Sequence, residues 1–328
     1  MKAIVHDEYG TAEGLELREM DKPGIGTSDV LVKVRAAGVD RGVWHVMTGL
    51  PYPIRLAGFG LRAPKNPVLG SDVSGVVDAV GDNVTGFRPG DEVFGVAKGS
   101  YAEYAVVPVD KLAPKPANLG FEEAAVVPTS ASTALQALRK GGVHAGQKVL
   151  ITGASGGVGT FAVQLAKALG ADVTAVCSTA KVDLVRSIGA DQVIDYRTTD
   201  FAASGSRFDV IVDIGGNATL SRLRSVLSPK GTLVITGGET DGRWLGGVDR
   251  QMRAQLLSLF VGQKLGTFIA SVSAEDLTAL TQMIENGKVT PVLDRTYPLS
   301  EVPAAIVYLD EGHARGKVAI SVNGSPAA

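Results

Sequence analysis

The chain has 328 residues, a formal net charge of −2 at pH 7 and a single cysteine. This length allows about two domains with cores of their own, and the nearly balanced charge argues against a nucleic-acid surface. The first residues lack the apolar core of a secretory signal, and no uninterrupted apolar segment approaches the ~20 residues that span a bilayer, so we expect a soluble protein without a membrane or nucleic-acid partner.

Short strands separated by turns make up the N-terminal part of the chain. Val30–Arg35 and Asp72–Val80 alternate between apolar and polar residues. Phe87–Gly95 is a turn that leads into another strand. The pattern predicts a small, mainly antiparallel β domain.

From about Phe121 the pattern changes to alternating helices and apolar strands. Helical patterns begin at Glu122 and Ser132, and later ones cover Thr160–Leu169, Lys181–Ile188 and Leu220–Leu227. The strands expected between them are Lys148–Ile151, Asp172–Cys177, Gln192–Asp195, Phe208–Asp213 and Gly231–Thr236. This alternation predicts a doubly wound parallel sheet. The last part reads as helix Ala274–Asn286, strand Val292–Pro298, helix Glu301–Leu309 and strand Lys317–Val322, the last of which we expect to rejoin the first domain's sheet.

The glycines after strand Lys148–Ile151 carry the most specific signal in the chain. Gly153 permits a tight turn, Gly156 lets backbone approach a pyrophosphate, and Gly159 lets the following helix pack closely on the strand. The N-terminus of that helix offers unpaired N–H groups and a positive dipole to an anion. Strand, glycine turn and helix together predict a dinucleotide site.

The one cysteine, Cys177, excludes an internal disulfide and fits a reducing cytoplasm. It ends an apolar strand, a setting typical of a buried structural thiol rather than a nucleophile. We therefore expect a cytoplasmic protein.

Several motifs in a fixed order resemble the medium-chain dehydrogenase/reductase superfamily, in its zinc-independent, zeta-crystallin-like quinone oxidoreductase branch. They are Ala36–Asp40, Pro67–Gly75, Val80–Val93, Pro128–Gln136 and the Gly-Ala-Ser-Gly-Gly-Val-Gly turn. The resemblance implies an α/β protein in which residues 1–122 and 266–328 form a GroES-like, β-rich catalytic domain. Residues 123–265 would form a Rossmann domain that binds the cofactor, and the active site would lie in the cleft between the domains.

The positions that carry metal ligands in zinc-dependent members hold other residues in this chain. Asp40, Ser71 and Asp72 stand where those members have a cysteine, a histidine and a glutamate. A catalytic zinc needs three protein ligands from cysteine, histidine and carboxylate side chains. We therefore expect no metal.

The segment beyond the glycine turn indicates NADPH. An NAD-preferring unit places an acid about 20 residues on, but Cys177–Lys181 contains none. Ser178 and Lys181 would hold a 2′-phosphate by hydrogen bond and charge. The resemblance adds Tyr196 to this site. Alternatively, Lys181 is a solvated residue that opens a helix.

Other cofactor contacts follow only from position in the family. Thr129 would face the nicotinamide half of the cofactor, and Lys317 would lie in a basic C-terminal turn against the 2′-phosphate. The remaining expected contacts are Ser155, Gly156, Gly157 and Val158 at the pyrophosphate, and Gly237, Gly238, Phe268 and Ile269 beside the nicotinamide.

The loop that begins at Asp40 is where family members place catalytic groups. His45 matches a proton-relay histidine of zinc alcohol dehydrogenases and titrates near neutrality, but a structural or cofactor-touching histidine is an equal reading. Asp40 would orient a ribose hydroxyl or the substrate. Trp44, Tyr52 and Phe59 are candidates for a substrate pocket, the last two in an apolar and basic insert that could instead cover a domain face or a dimer contact.

We expect an NADPH-dependent reductase of quinones, enones or related carbonyl compounds that forms a homodimer or homotetramer. The alternatives are an NAD(P)-dependent alcohol dehydrogenase or carbonyl reductase, and a non-catalytic NADPH-binding protein. Val210–Ile214 and Leu233–Ile235 would support an edge-to-edge subunit contact unless they are interior strands.

Overall fold

The structure is a computed structural model that describes residues 1–203, 205–237 and 243–322. Its strands are, in chain order, β1 (Lys2–Val5), β2 (Glu16–Glu19), β3 (Asp29–Val39), β4 (Asp72–Val80), β5 (Glu92–Val96), β6 (Tyr104–Pro108), β7 (Leu112–Pro114), β8 (Lys148–Thr152), β9 (Asp172–Cys177), β10 (Gln192–Asp195), β11 (Phe208–Asp213), β12 (Leu227–Ile235), β13 (Lys264–Thr267), β14 (Leu293–Pro298) and β15 (Lys317–Ser321). Its α-helices are α1 (Arg41–Thr48), α2 (Phe121–Ala125), α3 (Pro128–Gly141), α4 (Gly157–Ala168), α5 (Val182–Ser187), α6 (Leu220–Val226), α7 (Val248–Ser258), α8 (Ala274–Glu285) and α9 (Val302–Asp310).

These elements form two compact units. The first comprises residues 1–132 and 271–287 together with the C-terminal part from residue 291, and the second comprises residues 133–270 and 288–290. The first unit extends past residue 122 because α2 packs on β3, β4 and β15. The second extends past residue 265 because β13 continues to Thr267 and pairs with β12.

The first unit is built on a seven-stranded sheet. Its strand order is β14-β15-β3-β4-β5-β7, and β6 also pairs with β3. The pairs are antiparallel except for β14 with β15. β15 pairs with β3 through Val318 opposite Val39 and Ala319 opposite Gly38, which confirms that the last strand rejoins the N-terminal sheet.

The second unit is built on a six-stranded parallel sheet with the order β10-β9-β8-β11-β12-β13. The strand order reverses between β8 and β11, which pair with each other without a register shift. In such doubly wound sheets the ligand binds at the carboxyl ends of the strands, where the order reverses. The predicted α/β architecture with a β-rich unit and a Rossmann unit is confirmed.

Of the two readings of Val210–Ile214 and Leu233–Ile235, the interior strands are confirmed and the edge contact is not. β11 lies between β8 and β12, and β12 lies between β11 and β13. Their continuous apolar sequence is that of strands covered on both faces. The edges are β10 and β13, and β13 and α7 had no strand or helix prediction.

Cys177 is buried, and burial raises the pKa of its thiol to about 11. The thiol is therefore protonated near neutral pH, as expected for a structural cysteine. Within the described ranges, none of the helices combines the length and the apolar character that crossing a membrane requires.

Candidate functional site

The turn between β8 and α4 depends on two glycines. Gly153 has φ +66°, and a Cβ atom there would lie 2.8 Å from the backbone nitrogen of Gly215. A Cβ atom on Gly159 would lie 2.1 Å from the carbonyl oxygen of Gly153. Both positions therefore exclude any side chain, which allows α4 to start directly against the end of β8.

The third glycine of the turn lies in open space. Gly156 is the N-cap of α4 in an extended conformation, and among the described residues no side chain caps this helix. A Cβ atom on Gly156 would meet only the carbonyl oxygen of Gly153, at 3.5 Å. Ser155 is buried, whereas Gly157 and Val158 are half-buried. Helical N–H groups beside a position without a side chain fit a pyrophosphate, and a nicotinamide dinucleotide held there would supply a hydride.

A buried network joins the ends of β8 and β11 beside this turn. Thr152 Oγ1 donates to Asp213 Oδ1 at 2.6 Å, and Arg250 Nη2 donates to Asp213 Oδ2 at 2.5 Å. The Thr152 hydroxyl also accepts the N–H groups of Ile214 and Gly215, each at 3.2 Å. This network was not predicted from the sequence, because Arg250 lies on α7, where no helix was expected.

The residues expected at the adenosine end lie around the carboxyl ends of β9 and β10. Ser178 and Lys181 are half-buried, Ser178 as the N-cap and Lys181 as the last residue of the short helical turn Thr179–Lys181, and Tyr196 is 57% exposed. Asp195 is also here, because it pairs in register with Cys177. Thr179 Oγ1 donates to Asp195 at 2.6 Å, and this bond is the first cause of the lowered pKa of that carboxyl.

Asp195 was not predicted at this site, because an acid was expected just after β9, whereas Asp195 lies at the end of β10. The signal was available in the segment Ile194-Asp-Tyr-Arg197, whose strand lies beside β9 in a doubly wound sheet. Arg197 also influences this carboxyl: its backbone N–H donates to Asp195 at 2.9 Å.

The residues expected beside the nicotinamide differ in exposure. Gly237 is half-buried, and a Cβ atom there would lie 2.2 Å from the carbonyl oxygen of Ile214. Phe268 is half-buried and Ile269 is 97% exposed, both just beyond β13. Gly238 lies outside the described residues.

In the first unit, Asp72 is the centre of a buried polar cluster. Its side chain is 0% exposed and accepts hydrogen bonds from Thr129, both from the backbone N–H at 3.2 Å and from the side-chain hydroxyl. Lys317 Nζ lies 3.9 Å from Asp72 Oδ2. Burial and then the charge of Asp40 raise the pKa of Asp72 to about 7, against the opposing effects of Lys317 and Thr129.

The basic turn expected at Lys317 is wrong, whereas the strand expected over Lys317–Val322 is confirmed. Lys317 opens β15 and is only 2% exposed. All residues of β15 are buried, and the Lys317 ammonium pairs with Asp72 inside the first unit. We therefore assign Lys317 to Asp72 rather than to a nucleotide phosphate.

Asp40 and His45 lie at the start and in the middle of α1. Asp40 is the N-cap: its Oδ1 accepts the N–H of Val43 at 3.2 Å, and its Oδ2 accepts the hydroxyl of Ser71 at 3.4 Å. His45 Nδ1 lies 2.6 Å from the carbonyl oxygen of Leu50. A carbonyl only accepts, so Nδ1 carries a proton and Nε2 is left as the ring atom that exchanges a proton.

The candidate pocket residues contact arginines. The guanidinium of Arg41 lies 4.6 Å from the ring centroid of Trp44, and that of Arg55 lies 5.0 Å from the centroid of Tyr52. Phe59, at the end of the π-helical turn Arg55–Phe59, is 41% exposed. The insert thus presents an apolar surface held in place by cation–π contacts.

Comparison with known proteins identifies the family. Residues 26–117 match the family described as "Alcohol dehydrogenase GroES-like domain", and residues 188–320 match "Zinc-binding dehydrogenase". The bovine mitochondrial NAD(P)H oxidoreductase RTN4IP1 is 35% identical over 98% of this chain and 89% of its own length. The chain belongs to the medium-chain dehydrogenase/reductase superfamily, in its quinone-oxidoreductase-like branch.

Two further members of the superfamily are similar over nearly the whole chain. The 2-methylene-furan-3-one reductase of Solanum lycopersicum is 34% identical over 98% of this chain and 79% of its own length. The solved structure of the quinone oxidoreductase from Coxiella burnetii has a TM-score of 0.87 at 28% identity, and the match covers 98% of this chain and 99% of that one. This chain is accordingly an oxidoreductase of the superfamily that uses a nicotinamide cofactor.

The zinc in the description of one matching family does not fit the residues of this member of the superfamily. Both Asp72 oxygens lie within hydrogen-bonding distance of Thr129, and the Asp40 oxygens accept from Val43 and Ser71. Within residues 1–203, 205–237 and 243–322, no three His, Cys, Asp or Glu side chains are grouped so that they could hold a metal ion. A cation would also have to approach the Lys317 ammonium.

The open position of Gly156 gives a direct test of the cofactor site. Gly156→Ala should leave the thermal unfolding temperature almost unchanged, because the new Cβ meets only one atom, at 3.5 Å. It should weaken nucleotide binding at least tenfold, because the methyl group occupies the space that a pyrophosphate needs. Isothermal titration with NADPH and NADH measures the affinities.

Gly24→Ala is the matched control, since a Cβ atom there meets nothing within 4 Å and the residue lies in the other unit. Equal nucleotide affinities for Gly156→Ala and the unmodified protein would show that the pyrophosphate does not bind at this turn.

Proposed function

We propose that the protein is a zinc-independent, NADPH-dependent oxidoreductase that transfers a hydride to a quinone, an enone or a related carbonyl compound. The observation that carries this proposal is the engagement of Asp72. At a position where zinc-dependent members bind metal, its carboxylate accepts from Thr129 and lies 3.9 Å from the Lys317 ammonium. A carbonyl group would then be polarised by side-chain donors and a proton source rather than by a metal.

The substrate class is supported by the relatives and by the apolar insert. One relative is named for a furanone that carries an exocyclic methylene group and another structure for a quinone. Both are conjugated carbonyl compounds that accept a hydride. Leu56, Phe59 and Leu61 of the insert are 76%, 41% and 64% exposed, and provide an apolar surface for such a compound.

We expect the purified protein to oxidise NADPH in the presence of a quinone or an enone after removal of adventitious metal with a chelator. Absorbance of the reduced nicotinamide, followed across a panel of quinones, enones and aldehydes, measures the rate. NADPH binding without turnover of any acceptor would favour the non-catalytic alternative. One zinc per chain in metal analysis, with activity lost on chelation, would contradict the zinc-independent mechanism.

The preference for NADPH rests on the cations near the end of β9. Lys181 ends the short helical turn after β9, and Arg197 follows β10. Asp195 is the opposing charge, but its carboxylate is held by Thr179 and by the backbone N–H of Arg197. The positive charges of Lys181 and Arg197, beside the hydrogen-bonded carboxylate of Asp195, favour binding of a ribose 2′-phosphate over a 2′-hydroxyl.

Lys181→Glu should raise the KM for NADPH at least tenfold and change the KM for NADH less than threefold, because only NADPH carries the 2′-phosphate. Steady-state kinetics with both cofactors measure the effect. Arg186→Glu makes the same charge change on α5 at a side chain that is 64% exposed, and should alter neither value. An equal rise for both cofactors would remove the argument for NADPH.

We also propose that the protein is a homodimer in which α7 contributes to the contact. Val248, Met252, Leu256 and Leu259 follow one another at helical spacing and are 41–77% exposed. They form one apolar stripe beside β13, an edge strand of the second sheet. A stripe of this kind on a well-packed unit is typical of a subunit interface, and self-complementary contacts generate closed dimers.

Leu256→Glu should shift the protein towards a monomer, because the new carboxylate would be buried in the contact. Sedimentation velocity measures the molecular mass in solution. Lys230→Gln changes the net charge by the same amount at an exposed residue away from α7 and should leave the mass unchanged. A monomeric unmodified protein would contradict this proposal without affecting the proposed reaction.

A further inference from the structure

Asp72, Lys317 and Thr129 differ in their exposure. Asp72 is 0% exposed and Lys317 is 2% exposed, whereas Thr129 is half-buried. The Thr129 hydroxyl is bonded to Asp72 Oδ1. A hydroxyl group both donates and accepts, so a proton held by the buried carboxyl can pass through Thr129 without any movement of the backbone.

Two charged residues face Asp72 from neighbouring elements and have opposite effects. Asp40, between β3 and α1, raises the pKa of Asp72, and Lys317, on β15, lowers it. Burial is the first cause of the rise, and the resulting pKa is about 7. Asp72 therefore exchanges a proton in the neutral range, in which an exposed aspartate is fully ionised.

Tyr101 and Glu122, on neighbouring segments, are bonded to groups other than Asp72. Tyr101 is fully buried, and burial raises the pKa of its phenol well above its ordinary value, so it stays neutral. Its hydroxyl donates to the carbonyl oxygen of Gly38 at 3.1 Å. Glu122, on α2, accepts from Ser321 at 3.2 Å, near the far end of β15 from Lys317.

We propose that Asp72 and Thr129 form the proton relay of the reductase, with Thr129 as the group that donates to the substrate and Lys317 as the counter-ion of the ionised relay. This role rests on the proposed function.

The relay supplies the proton that the reduction of the acceptor requires. A reduced nicotinamide, when bound, would supply a hydride to a carbon of the acceptor, so that negative charge would develop on the acceptor's oxygen. The Thr129 O–H bond breaks as its proton moves to that oxygen, and the Asp72 carboxyl proton moves to the Thr129 oxygen. Asp72 is left ionised, 3.9 Å from the Lys317 ammonium, and regains a proton from solvent before the next turnover.

The test is the dependence of kcat on pH. In the unmodified protein kcat should fall as pH rises through about 7, because the ionised form of Asp72 has no proton to donate. Asp72→Asn and Thr129→Val should each lower kcat by about 10²-fold and abolish this decrease, since general acid catalysis contributes on that order. Thr129→Ser keeps the hydroxyl and should retain the decrease and most of kcat.

A second readout needs neither cofactor nor substrate. The infrared band of a protonated carboxyl should weaken in the free protein as pH rises through about 7, and Asp72→Asn should lack this change. Asp78→Asn, on the same strand but paired with Lys22 at the surface, is the matched control and should leave both the band and kcat as they are.

The outcomes separate the relay from the proposed function. Turnover with an unaltered pH profile in a folded Asp72→Asn variant would overturn the relay and leave the reductase intact. If His45→Ala abolished the decrease of kcat with pH and Asp72→Asn did not, the proton would come from His45 instead. Absence of turnover in the unmodified protein would contradict the proposed function, while the infrared measurement would still decide whether Asp72 holds a proton at neutral pH.

Discussion

The fully buried carboxylate of Asp72 is the constraint on which the first unit depends. An ionised group without water needs donors and a counter-charge, and the chain brings both from distant segments. Thr129 comes from the start of α3 and Lys317 from the start of β15, so one side chain on β4 ties three separated parts of the sequence together. The same need explains why the first unit includes the beginning of α3, although the sequence suggested a boundary after residue 122.

The second unit, in contrast, leaves backbone N–H donors available to a ligand. Gly153 and Gly159 are required because a side chain at either would clash with backbone, whereas Gly156 is open. The clashing pair fixes the turn, and the open glycine leaves the N-terminus of α4 accessible to an anion. Rigid backbone around a gap is what a cofactor site needs, since its donors are then oriented before the ligand arrives.

Much of this arrangement was predictable because the signals are local. β9, β10 and β11 have the expected bounds, and the glycine turn has the expected conformation. Lys317 was assigned to the cofactor only from its position in the family. The strand predicted over Lys317–Val322, with Val-Ala-Ile apolar at successive positions, already indicated a covered strand that begins at this lysine. Asp195 was missed because its position depends on the pairing of β10 with β9, and strand pairing is not local.

Stability alone does not explain why a lysine and an aspartate occupy the core of the first unit. Removing two charges from water costs several kcal/mol each, and well-packed apolar residues often serve equally well. The hydrogen bonds from Thr129 offset part of this desolvation cost, but they form only because the carboxylate is there to accept them. The proposed relay explains why these charges are present, because Asp72 has to hold a proton near neutral pH and release it through the half-buried Thr129 hydroxyl. The counter-ion then needs to stabilise the carboxylate without bonding it tightly, and a separation of 3.9 Å between Lys317 and Asp72 satisfies that requirement.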